Sequence, residues 1–168
     1  MSTDDQQLNT TRYQITPRVL IFAFRQDDVL LIKLLPKSGK QTTWTGKYNG
    51  PGGHVERRED ILSAARREFR EETGLDGDFS LCGTLMVDVS QLVGIGLFIF
   101  QVKNVVGEII SSHEGLPEWL PMNQLEKFPL VEDVPIILEK IRNMKPDSPL
   151  FSGISYYDDN DKLKLIFR

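Results

Sequence analysis

The 168-residue chain has one cysteine, Cys82, and two histidines, His54 and His113. A single thiol excludes an intrachain disulfide, and neither histidine has a His or Cys partner at metal-site spacing, which excludes the usual zinc centres. Cys82 lies in a strand-like run and reads as a buried structural thiol, consistent with a reducing cytoplasm. No apolar run reaches the roughly 20 residues of a membrane span. The segment Met1 to Arg12 is polar without a signal-peptide core and reads as a loose tail, 1–12, ahead of one domain over 13–168. Basic charge is not in excess either: 20 Lys and Arg stand against 24 Asp and Glu, a net charge of −4. That leaves no electrostatic footprint for duplex nucleic acid. What is present is 40% apolar and 26% charged residues, enough for one soluble globular core.

The densest signal runs from Gly52 to Leu75. A glycine pair, Gly52-Gly53, precedes a helical pattern that starts near Asp60 or Ile61 and ends at Gly74, a residue suited to the left-handed conformation that closes helices. Leu62, Ala65 and Phe69 form the expected apolar stripe, and Glu68, Glu71 and Glu72 share an adjacent face. Glu68 and Glu72 are one turn apart and repel, so a divalent cation would turn their cost into affinity. Carboxylate oxygens, completed by a backbone carbonyl, water and phosphate, suit Mg²⁺ or Mn²⁺ better than Zn²⁺. Without further context, a solvated charged helix face would be the bland alternative.

The spacing argues for more than that. Gly53, five residues, Glu59, seven residues, then Arg67-Glu68-Phe69-x-Glu71-Glu72-x-Gly74-Leu75 resembles the signature box of the Nudix hydrolases, which cleave nucleoside diphosphates linked to another group. Phe69 stands where that family more often has a branched aliphatic residue, and Arg58 where glycine is common. The resemblance implies an α/β (α+β) fold, a mixed β-sheet sandwiched between helices, with the box helix against one face. It also implies metal ligation by Glu68, Glu71, Glu72 and the Gly52 carbonyl, with one carboxylate as base. Arg67 is read as pairing with Glu59 or a box Glu to hold the cluster.

Elsewhere, Arg18 to Phe24 and Val29 to Leu35 read as a β-hairpin, and Phe79 to Val89 and Leu92 to Val102 as two strands, the second broken by Gly94 and Gly96. Pro36 to Tyr48 reads as a polar loop bordering a substrate mouth. Glu118 to Met122 is a short strand, Leu130 to Met144 a helix, and Leu150 to Tyr156 with Lys162 to Phe167 a closing hairpin. Strands on both sides of a helix, with a second helix late in the chain, independently suggest a mixed α/β sandwich.

Within the family, the oxidised-purine triphosphatases are the nearest likeness. Tyr48-Asn49-Gly50 resembles their Trp-Asn-Gly, whose Asn contacts the base, although a plain turn residue before Gly50 is an equal reading. Glu132 and Asp133 match an acidic pair that reads the base, while Leu130 replaces an aromatic residue; two acids opening a helix also make structural sense through its dipole. Glu114 sits where such enzymes often carry a further metal-binding or catalytic Glu, against the alternative of a surface carboxylate. His54 and His113 read as a strand-end polar residue and an exposed loop residue. The expected activity is Mg²⁺-dependent cleavage of a nucleoside triphosphate, 8-oxo-dGTP foremost, to nucleoside monophosphate and pyrophosphate, by a monomer or homodimer. ADP-ribose, nucleotide sugars and dinucleoside polyphosphates are rival substrates, and a non-catalytic nucleotide sensor is the rival from another class.

Overall fold

A computed structural model describes residues 11–36, 39–113 and 115–168. Most of the polar tail, part of the 36–48 loop and Glu114 lie outside the described residues. Strand β1 (Gln14–Arg25) turns into β2 (Asp28–Leu34) through Gln26 at φ 54°, then come β3 (Tyr48–Asn49), α1 (Ile61–Thr73), β4 (Leu75–Asp88) and β5 (Val93–Gly107). The chain continues with β6 (Gly115–Pro121), a 3-10 turn over Met122–Lys127, α2 (Val134–Arg142), β7 (Phe151–Tyr157) and β8 (Leu163–Phe167).

All eight strands join one mixed sheet in the order β3-β2-β1-β5-β4-β7-β8, with β6 antiparallel to β2. β1 runs parallel to β5, and β4 parallel to β7. Alternation along β1 divides the interior in two. Val19, Ile21 and Ala23 pack with Ala64, Ala65 and Phe69 of α1, while Leu20 and Phe22 pack with Val134, Ile137, Leu138 and Ile141 of α2. The sheet thus lies between helices, as the resemblance implied.

One irregularity positions the site. β1 pairs with β2 only through Ala23 to Arg25 and then departs along β5. The gap is filled by the chain after β3: Ile21 N–H donates to Pro51 O at 2.8 Å, Val19 N–H to Gly53 O at 2.9 Å and Val55 N–H to Pro17 O at 3.1 Å. This wedge needs residues without side chains, because a Cβ on Gly50 would stand 2.6 Å from Ile21 O and one on Gly52 would strike Val19 O.

Helix α1 is bounded by its caps. The Asp60 carboxylate accepts from the Leu62 and Ser63 N–H groups, and Gly74 closes the helix at φ 76°. The expected stripe needs correction at Leu62, which is 40% exposed. The buried face centres on Ala65, Phe69 and Glu72, and Leu62 lies roughly 60° off that centre in the first turn. Gly94 and Gly96 do not break β5: they lie within it, and Tyr13, just before β1, and Ile15 of β1 cover the space their side chains would fill. β4 begins directly after Gly74 and absorbs Asp76-Gly77-Asp78 through a bulge, so it is longer than the apolar run suggests. The late helix is shorter, Val134–Arg142, because Leu130 and Val131 are drawn into pairing with Tyr48 and residues 132–133 turn into the helix. Cys82 is buried, and burial pushes its thiol up to about 11, as fits an inert structural cysteine.

Candidate active site

The wedge brings the glycine pair against α1. Gly52 N–H donates to Glu72 Oε2 at 2.8 Å, and Glu72 is only 9% exposed although charged. A Cβ on Gly53 would fall on the Glu68 carboxylate, so glycine here is what lets that carboxylate lie against the backbone. Arg67 ties the remainder together. Its Nε and one terminal nitrogen grip Glu59 at 2.8 and 2.9 Å, the other reaches Glu68 at 2.8 Å and Glu71 at 3.3 Å, and the His54 carbonyl accepts at 3.0 Å. The hydrogen bond from Arg67 holds the Glu59 carboxyl below the usual range. Glu59 also accepts from Glu56 N–H across a turn that places Arg58 at φ 67°, the conformation for which glycine is common at that position.

Among the described residues, no three His, Cys, Asp or Glu side chains already form a metal cage. Glu68 and Glu71 are turned to Arg67, and Glu72 to the Gly52 amide. The donor set nonetheless fits a hard cation. It is all oxygen, arranged around a glycine cradle that a Cβ would fill, and Mg²⁺ typically takes one or two carboxylates while water and phosphate complete its shell.

Beside this cluster opens a cavity of about 940 Å³, at the upper end of small-ligand sites. Its wall includes Gly52, Gly53 and Glu72 together with Asn49, Glu132 and Asp133, residues far apart in sequence. Arg67, Glu68 and Glu71 are not on that wall. The Asn49 Oδ1 accepts from Gly50 N–H at 2.8 Å, so Asn49 is a turn residue and a cavity residue at once, with its amide donors available to a ligand. Glu132 accepts from the Tyr157 hydroxyl at 3.1 Å. Asp133 is the N-cap residue of α2 but makes no capping side-chain bond. The loop before β2's partner strand reaches the cavity through His113, which is exposed, whereas Glu114 lies outside the described residues. The 36–48 loop borders the cavity through Thr42, Thr43, Trp44 and Lys47.

Two aromatic rings on the wall, Trp44 and Tyr157, escaped the sequence reading. Leu130, at the aromatic position, instead pairs with Tyr48 and packs into the α2 core. An unpaired Trp in a polar, glycine-containing loop was the available signal for the first, being 49% exposed. Tyr157 ends a strand on which nothing local marks the cavity side.

Asp133 yields a pH prediction. Burial, with Glu132 beside it, raises its carboxyl above the ordinary aspartate range. A raised folded-state value means that this group's contribution is fully present below the unfolded value and is lost as pH rises through the folded one. At pH 7, Asp133→Asn is therefore expected to melt above wild type, and the difference should close as pH falls below about 4. Thermal melts of both proteins from pH 3.5 to 7.5 check this; a gap that widens toward acid contradicts it.

A NUDIX domain model matches residues 14–141, three quarters of the chain, including the glycine pair, the α1 carboxylates, Asn49, Glu132 and Asp133 but not Tyr157. The protein belongs to the Nudix family. Membership makes it a hydrolase of phosphoanhydride bonds, in a family that acts on small nucleotide substrates and generally uses a divalent metal. Among its relatives, the oxidized purine nucleoside triphosphate hydrolase of Danio rerio is 33% identical over 103 residues, covering 58% of this chain and 66% of that one. The mouse (Mus musculus) protein of the same name is 32% identical over 124 residues, covering 70% and 74%. The crystal structure of a mutator MutT protein from Bacillus halodurans superposes with a TM-score of 0.73 at 24% identity, over 91% of this chain and 97% of the other, which supports the fold. No helix of the Nudix chain among the described residues is long and apolar enough to cross a membrane.

Proposed function

We propose that this Nudix hydrolase is a cytoplasmic, Mg²⁺-dependent nucleoside triphosphate diphosphatase that converts oxidised purine nucleotides, 8-oxo-dGTP foremost, to the monophosphate and pyrophosphate. The observation that carries the reading is the shared cavity, whose wall holds Asn49, Glu132 and Asp133 for a purine edge together with Glu72 and the Gly52-Gly53 backbone for phosphate. The names of the Danio rerio and mouse relatives point the same way.

In this reading, Glu68, Glu71, Glu72 and the Gly52 carbonyl hold the metal, which when bound neutralises phosphate charge and lowers the pKa of water. Arg67 is a positioning residue, since its donors are taken up by Glu59, Glu68, Glu71 and His54 O. Release of Glu68 and Glu71 from Arg67 toward the ion is the rearrangement the reading requires. A box carboxylate or Glu114 takes the water's proton. At the other end, Asn49, Glu132 and Asp133 meet the base edge: a protonated carboxyl there would donate to a keto oxygen, an ionised one would accept from ring N–H groups, and Asn49 adds its amide.

The test is a panel of 8-oxo-dGTP, dGTP, ADP-ribose, a nucleotide sugar and a dinucleoside polyphosphate, with and without Mg²⁺, scored by product. Wild type is expected to prefer 8-oxo-dGTP and to fall silent without metal. Asn49→Ala and Asp133→Ala should each lower the ratio of kcat/KM for 8-oxo-dGTP over dGTP by about tenfold, one bidentate or buried contact's worth. A preference for ADP-ribose over both triphosphates overturns the substrate and leaves the phosphate chemistry standing.

A further inference from the structure

Arg18 stands on β1, on the cavity wall beside Gly52, Gly53 and Glu72. Its backbone bridges His54 in the wedge, one residue from the Val19 N–H bond to Gly53 O. Its Nε is buried and meets no hydrogen-bond acceptor among the described residues. A buried donor without a partner costs about what a hydrogen bond gains, so native proteins keep few of them. The fold's other guanidinium near the glycine pair, that of Arg67, is consumed by three carboxylates and a carbonyl. The acidic wall groups Glu72, Glu132 and Asp133 would by themselves repel a polyanionic substrate. On this wall the basic side chains besides exposed His113 are Arg18 and Lys47.

We infer that Arg18 is a substrate-binding residue that takes the phosphate chain through the edge of its guanidinium containing the orphaned Nε–H. That edge presents Nε–H and one terminal N–H in parallel, a match for two oxygens of a phosphoryl group. The neighbours favour phosphate over the base: Arg18 lies at the Gly53-His54 end of the wedge, whereas Asn49 lies at the β3 end. The inference deepens the diphosphatase reading and rests on it for the nucleotide, but the anion itself is testable alone.

Arg18→Met keeps length and apolar stem while removing every donor. Two measurements are made on full-length wild type and Arg18→Met: KM for the best triphosphate of the panel, and the rise in melting temperature caused by inorganic tripolyphosphate with Mg²⁺. The expected results are a KM about tenfold higher in the variant and a tripolyphosphate-induced rise present in wild type and largely absent in Arg18→Met, while the ligand-free variant melts no lower than wild type. Arg18→Lys, which retains charge but not the fork, should fall between. Equal KM and equal stabilisation in wild type and Arg18→Met, or no stabilisation of wild type by tripolyphosphate, overturn the role of Arg18. If triphosphates are not turned over but tripolyphosphate stabilises wild type and not Arg18→Met, the nucleotide reading fails and the phosphate site stands.

Discussion

Glu72→Gln is expected to reduce turnover by ~10²-fold or more while leaving the protein folded. The substitution removes charge and little else. Gln has the same length and nearly the same helix propensity, and its carbonyl oxygen can still accept the Gly52 N–H that Glu72 Oε2 accepts at 2.8 Å. The wedge between β1 and β2 therefore keeps its tie to α1. What disappears is an anionic oxygen in a nearly dry position, where electrostatic interactions count most. Losing one preorganised group that stabilises developing charge commonly costs that factor or more. The check is kcat at saturating Mg²⁺ with circular dichroism and a melt of the same sample. Because a buried charge is also removed, the melting temperature should hold or rise. Turnover within a few-fold of wild type, in a folded sample, removes Glu72 from the metal and phosphate site.

Glu72 also marks the limit of what the chain disclosed before its fold was known. The helix and both its ends were legible because caps are local: Asp60 binds amides two and three residues on, and Gly74 adopts its own positive φ. The box residues were legible because one helix face carries them. Arg67 was placed with Glu59 and the box carboxylates by charge and spacing, and the network of contacts at 2.8 to 3.3 Å agrees. Features that depend on distant chain were not. Leu62 fits a helical stripe as well as Ala64 does, and only the seat of α1 on the sheet separates them. Gly94 and Gly96 look like breakers until Tyr13 and Ile15 are laid across them by the parallel pairing of β1 and β5. The cavity gathers Asn49, Asp133 and Tyr157 from three elements, so no window of sequence contains it. Arg18 in particular reads as the first residue of an ordinary strand, and its orphaned Nε exists only in three dimensions.

Phe69 is where fold and site meet most closely, and Phe69→Ala is expected to destabilise the protein by about 3–5 kcal/mol. The ring is fully buried on α1, packs edge-on against Phe79 at 5.6 Å, and Phe79 continues to Phe100 at 6.5 Å. Flanking it on the same helix are Ala64 and Ala65, both fully buried and too small to fill the space a lost ring leaves. Since a domain of this size holds only ~5–15 kcal/mol in total, Phe69→Ala consumes a large share and its urea midpoint should fall steeply at nearly constant slope. Phe69→Leu, which installs the aliphatic type more common in the family, refills most of the volume and should cost less than about 1.5 kcal/mol. The pair separates packing from chemistry. Leu at 69 keeps α1 seated, so Glu68 and Glu72 stay against the Gly52-Gly53 backbone and turnover below the melting range should stay near wild type. Ala at 69 loosens the seat and should raise KM for Mg²⁺ at temperatures where the protein is still largely folded. A loss below about 1 kcal/mol in Phe69→Ala, or a collapse of activity in a stable Phe69→Leu, would contradict an aromatic stack that fastens the carboxylate helix to the sheet.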